Sequence, residues 1–586
     1  MQRKILVIFL GSLVALAGLV CVGVALLPYG TLKGLADSLM RDGNFKSLNE
    51  ANAYVFRVLL GLVGLALDGL ASVIGLGRTR QVRTWFGHYI ADVVFFIRSL
   101  KPASIESKSL AVLLLILCLG FLFRLVHIND VMTHDESYTY VVFSSTSFFN
   151  VITNYHLPNN HVLNSLLILI STRLFGIQPW AVRLPALIAG MLIIPVTFGL
   201  AKRLYDRNTA LASALLVAIL PGAIYYSTTG RGYSLVALFT VLTLWLAIYL
   251  RESKNRFAWT LLILFSALGF YSVPVMLLPF GVVFAWLFLE NLVADTGSYG
   301  SKTNFLKYWL VAGVGTLVLV LLLYAPIFIF SGADKVFANP WVLPESWEGY
   351  ISSLPGRILG IWSEWTTGLP PVLTGLLLVG FALGLILQPR LTRKRFPLQL
   401  AAFLWLAALL LVQRPQGVTK IWGFLQAPFM IWCAAGIVGS LKDWPLRFAR
   451  NVSAAAVVVG IALLLTVVNA VQLLPTIPQR WAEKGPAERT VLFIRDQLGY
   501  QDLIIIDAPF DAAVWYYSDL YGIGGDSRFD KLRPFDHLFV VVSHPDGQTL
   551  ESVLQARGPD PNLVDIGAAR IIMNYQNLDI YVVPHH

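Results

Sequence analysis

The stretch "LAVLLLILCLGFLFRLVHINDVMTHDESYTYVV" at residues 110–142 passes from an apolar segment directly into His134, Asp135 and Glu136. Its first part is apolar over roughly the 20 residues that a bilayer crossing takes, allowing for some local thinning. Its second part sets an acid pair at the lip of that crossing. The rest of the chain follows suit: 56% of its 586 residues are hydrophobic and 13% charged, with a mean hydropathy of +0.69. Soluble domains carry roughly a quarter charged residues. The composition is that of an α-helical polytopic membrane protein, and 16 Trp and 22 Tyr suit a chain with many bilayer interfaces.

The net charge of +11 does not form a nucleic-acid stripe, because the basic residues gather at the ends of apolar segments. Cys21, Cys118 and Cys433 all lie in apolar stretches and make neither a disulfide framework nor a metal site. Apolar length places spans near 5–28, 52–76, 109–126, 183–201, 209–226, 232–250, 257–272, 274–290, 308–330, 371–388, 397–412, 421–440 and 452–474, about thirteen in all. The first is too long for a signal peptide, lacks a clean cleavage site and reads as an anchor.

With the N-terminus inside, the basic clusters around Arg78, Lys101, Lys202, Arg251, Lys302, Arg393 and Lys442 all fall on one side. Two apolar stretches then do not cross. "WFGHYIADVVFFIRSL" (85–100) lies in the inner interface, and "HVLNSLLILISTRLF" (161–175) is expected as an amphipathic helix on the outer surface. Residues 127–182 become one long outer loop, and 225–234, the Trp-rich loop 331–370 and 413–420 reach the same face. "NVS" at 451 falls inside and is discounted as a glycan acceptor.

After residue 475 a helix is followed by short buried strands alternating with helical pattern, so 476–586 is expected to be a small extracytoplasmic α/β domain. The expected division is 1–107 for extra N-terminal spans and the interfacial helix, 108–475 for the main membrane core, and 476–586 for that domain.

Carboxylates and cations on one aqueous face suit a reaction with an anionic leaving group: an acid takes a proton from a nucleophile while bases hold a departing phosphate. Asp135 and Glu136 are the acids, and Arg231, Lys420 and Arg414, at or near span ends, are the bases. Each has a plainer reading: the acids as solvated loop residues, the bases as anchors to lipid headgroups. His134, Glu136 and His161 could hold a divalent cation, but tight ligand spacing is absent, so no metal or other cofactor is expected with certainty. Trp341, Trp347, Trp362 and Trp365 suit an interfacial belt or a sugar-stacking surface equally. Asp68 is expected to pair with Arg57 or a neighbouring helix.

From Lys108 onward the chain resembles the polyprenyl-phosphate-sugar-dependent glycosyltransferases of the GT-C fold, the group of the protein O-mannosyltransferases and the lipid A aminoarabinose transferases. The resemblance rests on "THDESYTY", on "HLPNNHVLNSLLILISTRLFGIQPWAVRLPALIAGMLIIPVTFGLAKRLY", on "YYSTTGRGYSLVALFTVLTLWLAIYL" and on "VTKIWGFLQAPFMIWCAAGI", in that order. It implies Asp135 as general base toward the acceptor, Glu136 as its acidic neighbour, and Arg231, Lys420 and Arg414 around the donor phosphate. It implies His134, Tyr138, His156, Asn160, His161 and Tyr233 as substrate contacts. The chain has "HLPNNH" where many relatives carry His-Pro-Pro or Lys-Pro-Pro, so His156 and His161 compete for one role, and Lys-Ile-Trp stands where Arg-Tyr is usual.

The implied partners are a polyprenyl-phosphate sugar, a lipid, glycan or protein acceptor, and membrane lipids, with no nucleic acid. The implied setting is a bacterial inner membrane with the N-terminus cytoplasmic and the C-terminal domain outside. The alternatives are a lipid-glycan carrier or flippase, which would need a polar path through span centres, and an inactive GT-C-like subunit of a membrane assembly.

Overall fold

The computed structural model describes residues 2–39, 50–75, 79–100, 106–338, 343–392, 394–415, 419–441, 454–523, 529, 533–575 and 578–586. Arg78, Lys101, Trp341, Arg393, Lys442 and the Asn451 sequon lie outside the described residues.

The membrane part begins with α1 (Gln2–Ala25), α2 (Tyr29–Leu39), α3 (Glu50–Gly75), α4 (Thr79–Ser99) and α5 (Ser107–His127). The outer loop holds α6 (His134–Tyr138), α7 (Phe148–Thr153) and α8 (Val162–Phe175). There follow α9 (Pro179–Leu204), α10 (Arg207–Ile219), α11 (Pro221–Ser227), α12 (Tyr233–Glu252), α13 (Arg256–Ser272), α14 (Leu277–Val293), α15 (Lys302–Phe330), α16 (Asp334–Phe337), α17 (Trp347–Thr366), α18 (Pro371–Leu391), α19 (Leu398–Gln413), α20 (Gln426–Leu441) and α21 (Ala454–Leu473).

Eight of the described helical segments are long and apolar enough to cross a membrane, or up to ten if each of two bent pairs is one span, against the thirteen expected. The expected crossings at 257–272 and 397–412 form α13 and α19, helices of 17 and 16 residues, which fall short by length. One bent pair is α10 and α11, which turn by 61° at Pro221, a residue that cannot continue the preceding ladder. Asp68 lies against Gly18 of α1, the neighbouring-helix option, while Arg57 donates to the Leu27 carbonyl.

α12 sits at the centre of the bundle, buried along nearly its whole length against α9, α13, α14 and α20. α18 and α20 approach through glycines: a Cβ on Gly436 would overlap the Gly380 carbonyl, and one on Gly384 would overlap that of Trp432. Small residues of this kind let helix backbones meet where lipid offers no hydrophobic drive for association.

Two outer segments differ from their reading in the sequence. α8 is not a surface amphipath: its inward side mixes Asn164, Ser165, Ser171 and Thr172 with Val162, Ile168 and Leu169, while Ile170, Arg173, Leu174 and Phe175 are exposed. Its buried polar groups bond to neighbouring segments, Asn164 donating to the Gly230 carbonyl and Ser171 to the Ala181 carbonyl, while Ile168 joins the hydrophobic core shared with the sheet domain. The Trp-rich 331–370 is not mainly loop either, since α17 runs for 20 residues through Pro355 and several glycines.

Beyond α22 (Ile477–Ala482) and α23 (Pro486–Arg495) come β1 (Leu503–Ile506), α24 (Asp511–Tyr521), β2 (His537–Ser543), α25 (Leu550–Arg557), β3 (Arg570–Tyr575) and β4 (Leu578–Pro584). The strands form one sheet in the order β1-β2-β4-β3, with β1 parallel to β2 and the other pairs antiparallel. β1 is apolar on both faces because helices cover both. One face of the sheet shares its core with the outer loop: Met132, Tyr140, Ile168 and Val182 pack into a cluster with Val491, Val514, Tyr516, Phe539 and Ile580.

The glycine contact predicts that Gly436→Leu will force α18 and α20 apart and destabilise the protein by about 1–3 kcal/mol or more. Denaturant or thermal unfolding in detergent measures it, with Gly460→Leu, where open space surrounds the glycine, as the tolerated control.

Candidate functional site

The outer loop is organised by Glu136. Thr133, six residues after the end of α5, and Glu136 form a capping box at the start of α6. The Glu136 carboxylate is fully buried and receives Arg183 Nε at 2.9 Å and Nη2 at 2.5 Å, the Thr133 backbone N–H at 2.8 Å and the Gly230 N–H at 2.7 Å. Arg183, on α9, also donates to the carbonyls of Ile128, Asp130 and Val131. One bidentate pair thus joins the acidic loop, α9 and the 228–232 turn. Glu136 was expected beside Asp135 in the chemistry; its oxygens are all occupied and none faces solvent.

Asp135, the neighbouring residue, is turned the other way. Its side chain is 38% exposed, and Oδ2 accepts from Lys420 Nζ at 2.5 Å, with Lys420 itself 40% exposed. Arg231 lies alongside, and its Nη1 donates to the Asp135 carbonyl at 3.3 Å, to Thr139 Oγ1 at 2.6 Å, to the Asn159 carbonyl at 2.9 Å and to the Asn159 side chain. Burial alone would raise the Asp135 carboxyl, but Arg231, Lys420 and His134 outweigh it and hold it below the ordinary carboxylate value. It is therefore ionised at neutral pH.

His161 stands behind Arg231. Its Nδ1 accepts the Gly232 N–H at 2.9 Å, Nε2 is 3.2 Å from Arg231 Nη2, and Tyr233 meets the ring edge-on at 5.0 Å. Burial, then Arg231 and Lys420, push the imidazole well below its ordinary pKa, so it is neutral. His156 is neutral as well: burial and Lys335 lower it, Nδ1 faces Asn154 Oδ1 at 2.7 Å, and Nε2 is left to accept from Tyr138 OH at 2.8 Å. His134 Nδ1 lies 3.5 Å from Asp511 at the start of α24, so the C-terminal sheet domain reaches the residue beside Asp135. Burial raises the Asp511 carboxyl above its ordinary value despite that contact.

Asn160 and Arg414 have partners elsewhere. Asn160 is buried, donating to the Val151 and Asn154 carbonyls and accepting from Ser165, so it braces the loop. Arg414 ends α19 in a left-handed conformation (φ 41°), with its guanidinium 4.7 Å over the Trp347 ring. His134, Glu136 and His161 have separate partners, and no group of three or more His, Cys, Asp or Glu able to hold a metal occurs among the described residues. Trp362 and Trp365 pack edge-on against Phe429, within the protein.

The sequence reading missed Arg183, Asn159 and Glu364. Glu364 on α17 accepts from Thr419, next to Lys420, and its Oε1 is buried without a partner. Only Arg183 carried a signal, in the Arg-Leu-Pro opening of its span.

The model of the dolichyl-phosphate-mannose-protein mannosyltransferase family matches residues 162–330. ArnT from Cupriavidus metallidurans in the apo state aligns over 81% of this chain and 98% of its own, at 13% identity and a TM-score of 0.51. The same protein bound to undecaprenyl phosphate aligns over 81% and 97%, at 13% identity and a TM-score of 0.50. No curated protein matches in sequence. Likeness at this identity establishes a shared membrane fold.

The two neighbouring acids should separate by mutation. Glu136→Gln leaves Arg183 as an uncompensated buried charge and should lower stability by roughly 3–5 kcal/mol. Asp135→Asn, at a half-open surface pair, should change it by about 1 kcal/mol or less. Denaturant unfolding of both variants in detergent tests the difference.

Proposed function

We propose that this chain, a multi-pass membrane protein of the GT-C fold, is a glycosyltransferase that moves a sugar from a polyprenyl-monophosphate donor to an acceptor on the extracytoplasmic side. The observation that carries this reading is the meeting on one rim of an ionised, half-exposed Asp135 with Lys420 and Arg231, contributed by segments far apart in the chain. The family match over 162–330 and the fold shared with a protein that binds undecaprenyl phosphate support the donor class.

In this mechanism Asp135 takes the proton of an acceptor hydroxyl or amine as the nucleophile attacks the anomeric carbon. The bond from that carbon to the phosphate oxygen breaks, its electron pair leaves with polyprenyl phosphate, and the configuration inverts. Lys420 exchanges its partner from Asp135 to the lipid phosphate as the donor enters; an ion pair this exposed exchanges at little cost. Arg231, only 5% exposed and tied to Asn159 and Thr139, acts as a fixed positive charge behind the site. His156 and Tyr138, hydrogen-bonded to each other, and His134 and Tyr233 line the substrate side.

In this scheme 108–475 is the catalytic core, 476–586 an outer domain and 1–107 an accessory membrane segment. The N-terminus is cytoplasmic, and the membrane is a bacterial inner membrane.

Asp135→Asn keeps the volume but removes the base, and should cut transfer by about 10²–10⁴-fold. Release of lipid phosphate from radiolabelled polyprenyl-phosphate sugars measures this, and near-normal turnover rejects the role. The pH profile gives a second test. The lowered carboxyl keeps Asp135 a base down to acid pH, so the acid limb of kcat/KM should lie below the ordinary carboxylate range. Lys420→Met removes a cation that favours the ionised form, and should move the limb of the residual activity to higher pH.

A further inference from the structure

Arg124 occupies the last turn of α5 and is fully buried. Its Nη1 donates to the carbonyls of Gly120 at 2.9 Å and Ala218 at 3.0 Å, while Nε has no partner. No carboxylate among the described residues forms an ion pair with it. A guanidinium inside a membrane bundle without a counter-ion is costly, and charges in such places ordinarily find a partner. Two other side chains share its position. Tyr226 OH on α11 and Gln426 Nε2 at the start of α20 are buried and unpartnered, and all three residues line one cavity.

The cavity measures about 20 Å³, somewhat above the ~10–15 Å³ that one water requires. Its remaining walls are chiefly apolar, including Ile193, Val217 and Ala237. A water placed there accepts two hydrogen bonds and has only the hydroxyls of Tyr226, Tyr233 and Ser234 among the lining side chains toward which to turn its own protons, leaving the charge of Arg124 unbalanced. A monatomic anion accepts from every donor at once and cancels the charge of Arg124.

We propose that this cavity binds a small monovalent inorganic anion of the halide class between Arg124, Tyr226 and Gln426. The site lies within the bundle, shares Tyr233 with the substrate side, and does not rest on the transferase reading.

Bromide is the probe, used with the full-length protein in detergent. Diffraction data collected above the bromine edge should show an anomalous peak within hydrogen-bond reach of Arg124 Nε and Gln426 Nε2. At equal ionic strength, the thermal midpoint should be higher in chloride or bromide than in gluconate, rising to saturation with halide concentration. Arg124→Met should abolish that difference. If Arg124→Met does not fold, Tyr226→Phe, which removes a single donor, should shift the half-saturating halide concentration upward by several fold. A water with no anomalous signal in the cavity, equal midpoints in the two salts, or a halide effect unchanged in these variants would each overturn the assignment.

Discussion

The outer face of this protein depends on the buried ion pair of Glu136 and Arg183. Two opposite charges in a fully enclosed place are tolerable only if every lone pair and N–H is engaged, and here they are: the carboxylate takes two further backbone N–H groups and the guanidinium three carbonyls. The groups they engage belong to the end of α5, the acidic loop, α9 and the 228–232 turn. Four pieces of chain are therefore fixed relative to one another by a single contact, and removing either charge would release all of them.

That contact also decides how Asp135 is displayed. Successive residues in a helical turn point about 100° apart, so with Glu136 turned inward Asp135 must face the rim. There it meets Lys420, which comes from a segment nearly three hundred residues later. The locked pair supplies rigidity, and the open pair supplies a carboxylate and an ammonium free to change partners. Arg231 links the two levels, since it follows Gly230, whose N–H holds Glu136, and itself donates to the Asp135 carbonyl.

The C-terminal sheet is part of the same assembly. Tyr516 donates to the Ile177 carbonyl at 2.6 Å, the Met132 N–H donates to Tyr517 OH, and Arg480 grips Asp130 with two bonds of 2.7 Å. With Asp511 beside His134, this domain covers the flank of the acidic loop and shares a hydrophobic core with it. A long loop between spans is ordinarily mobile; here it is held between the bundle below and the sheet domain above.

Composition and apolar length alone determined that the chain is a helical membrane protein, because burying a backbone in hydrocarbon leaves few other solutions. Motif order pointed to Asp135, Arg231 and Lys420, because charged groups at span ends stand out against an apolar background. Tertiary structure decided the rest. Which of two adjacent acids is buried depends on a partner 47 positions away, and a sequence does not state such a pairing. The mixed inward side of α8 is not legible in the sequence because an apolar segment does not say which of its sides meets protein and which faces outward. Arg414, drawn toward the site by its charge near a span end, lies over the Trp347 ring instead, and Asn160, implied by the resemblance, is held by two carbonyls closer by.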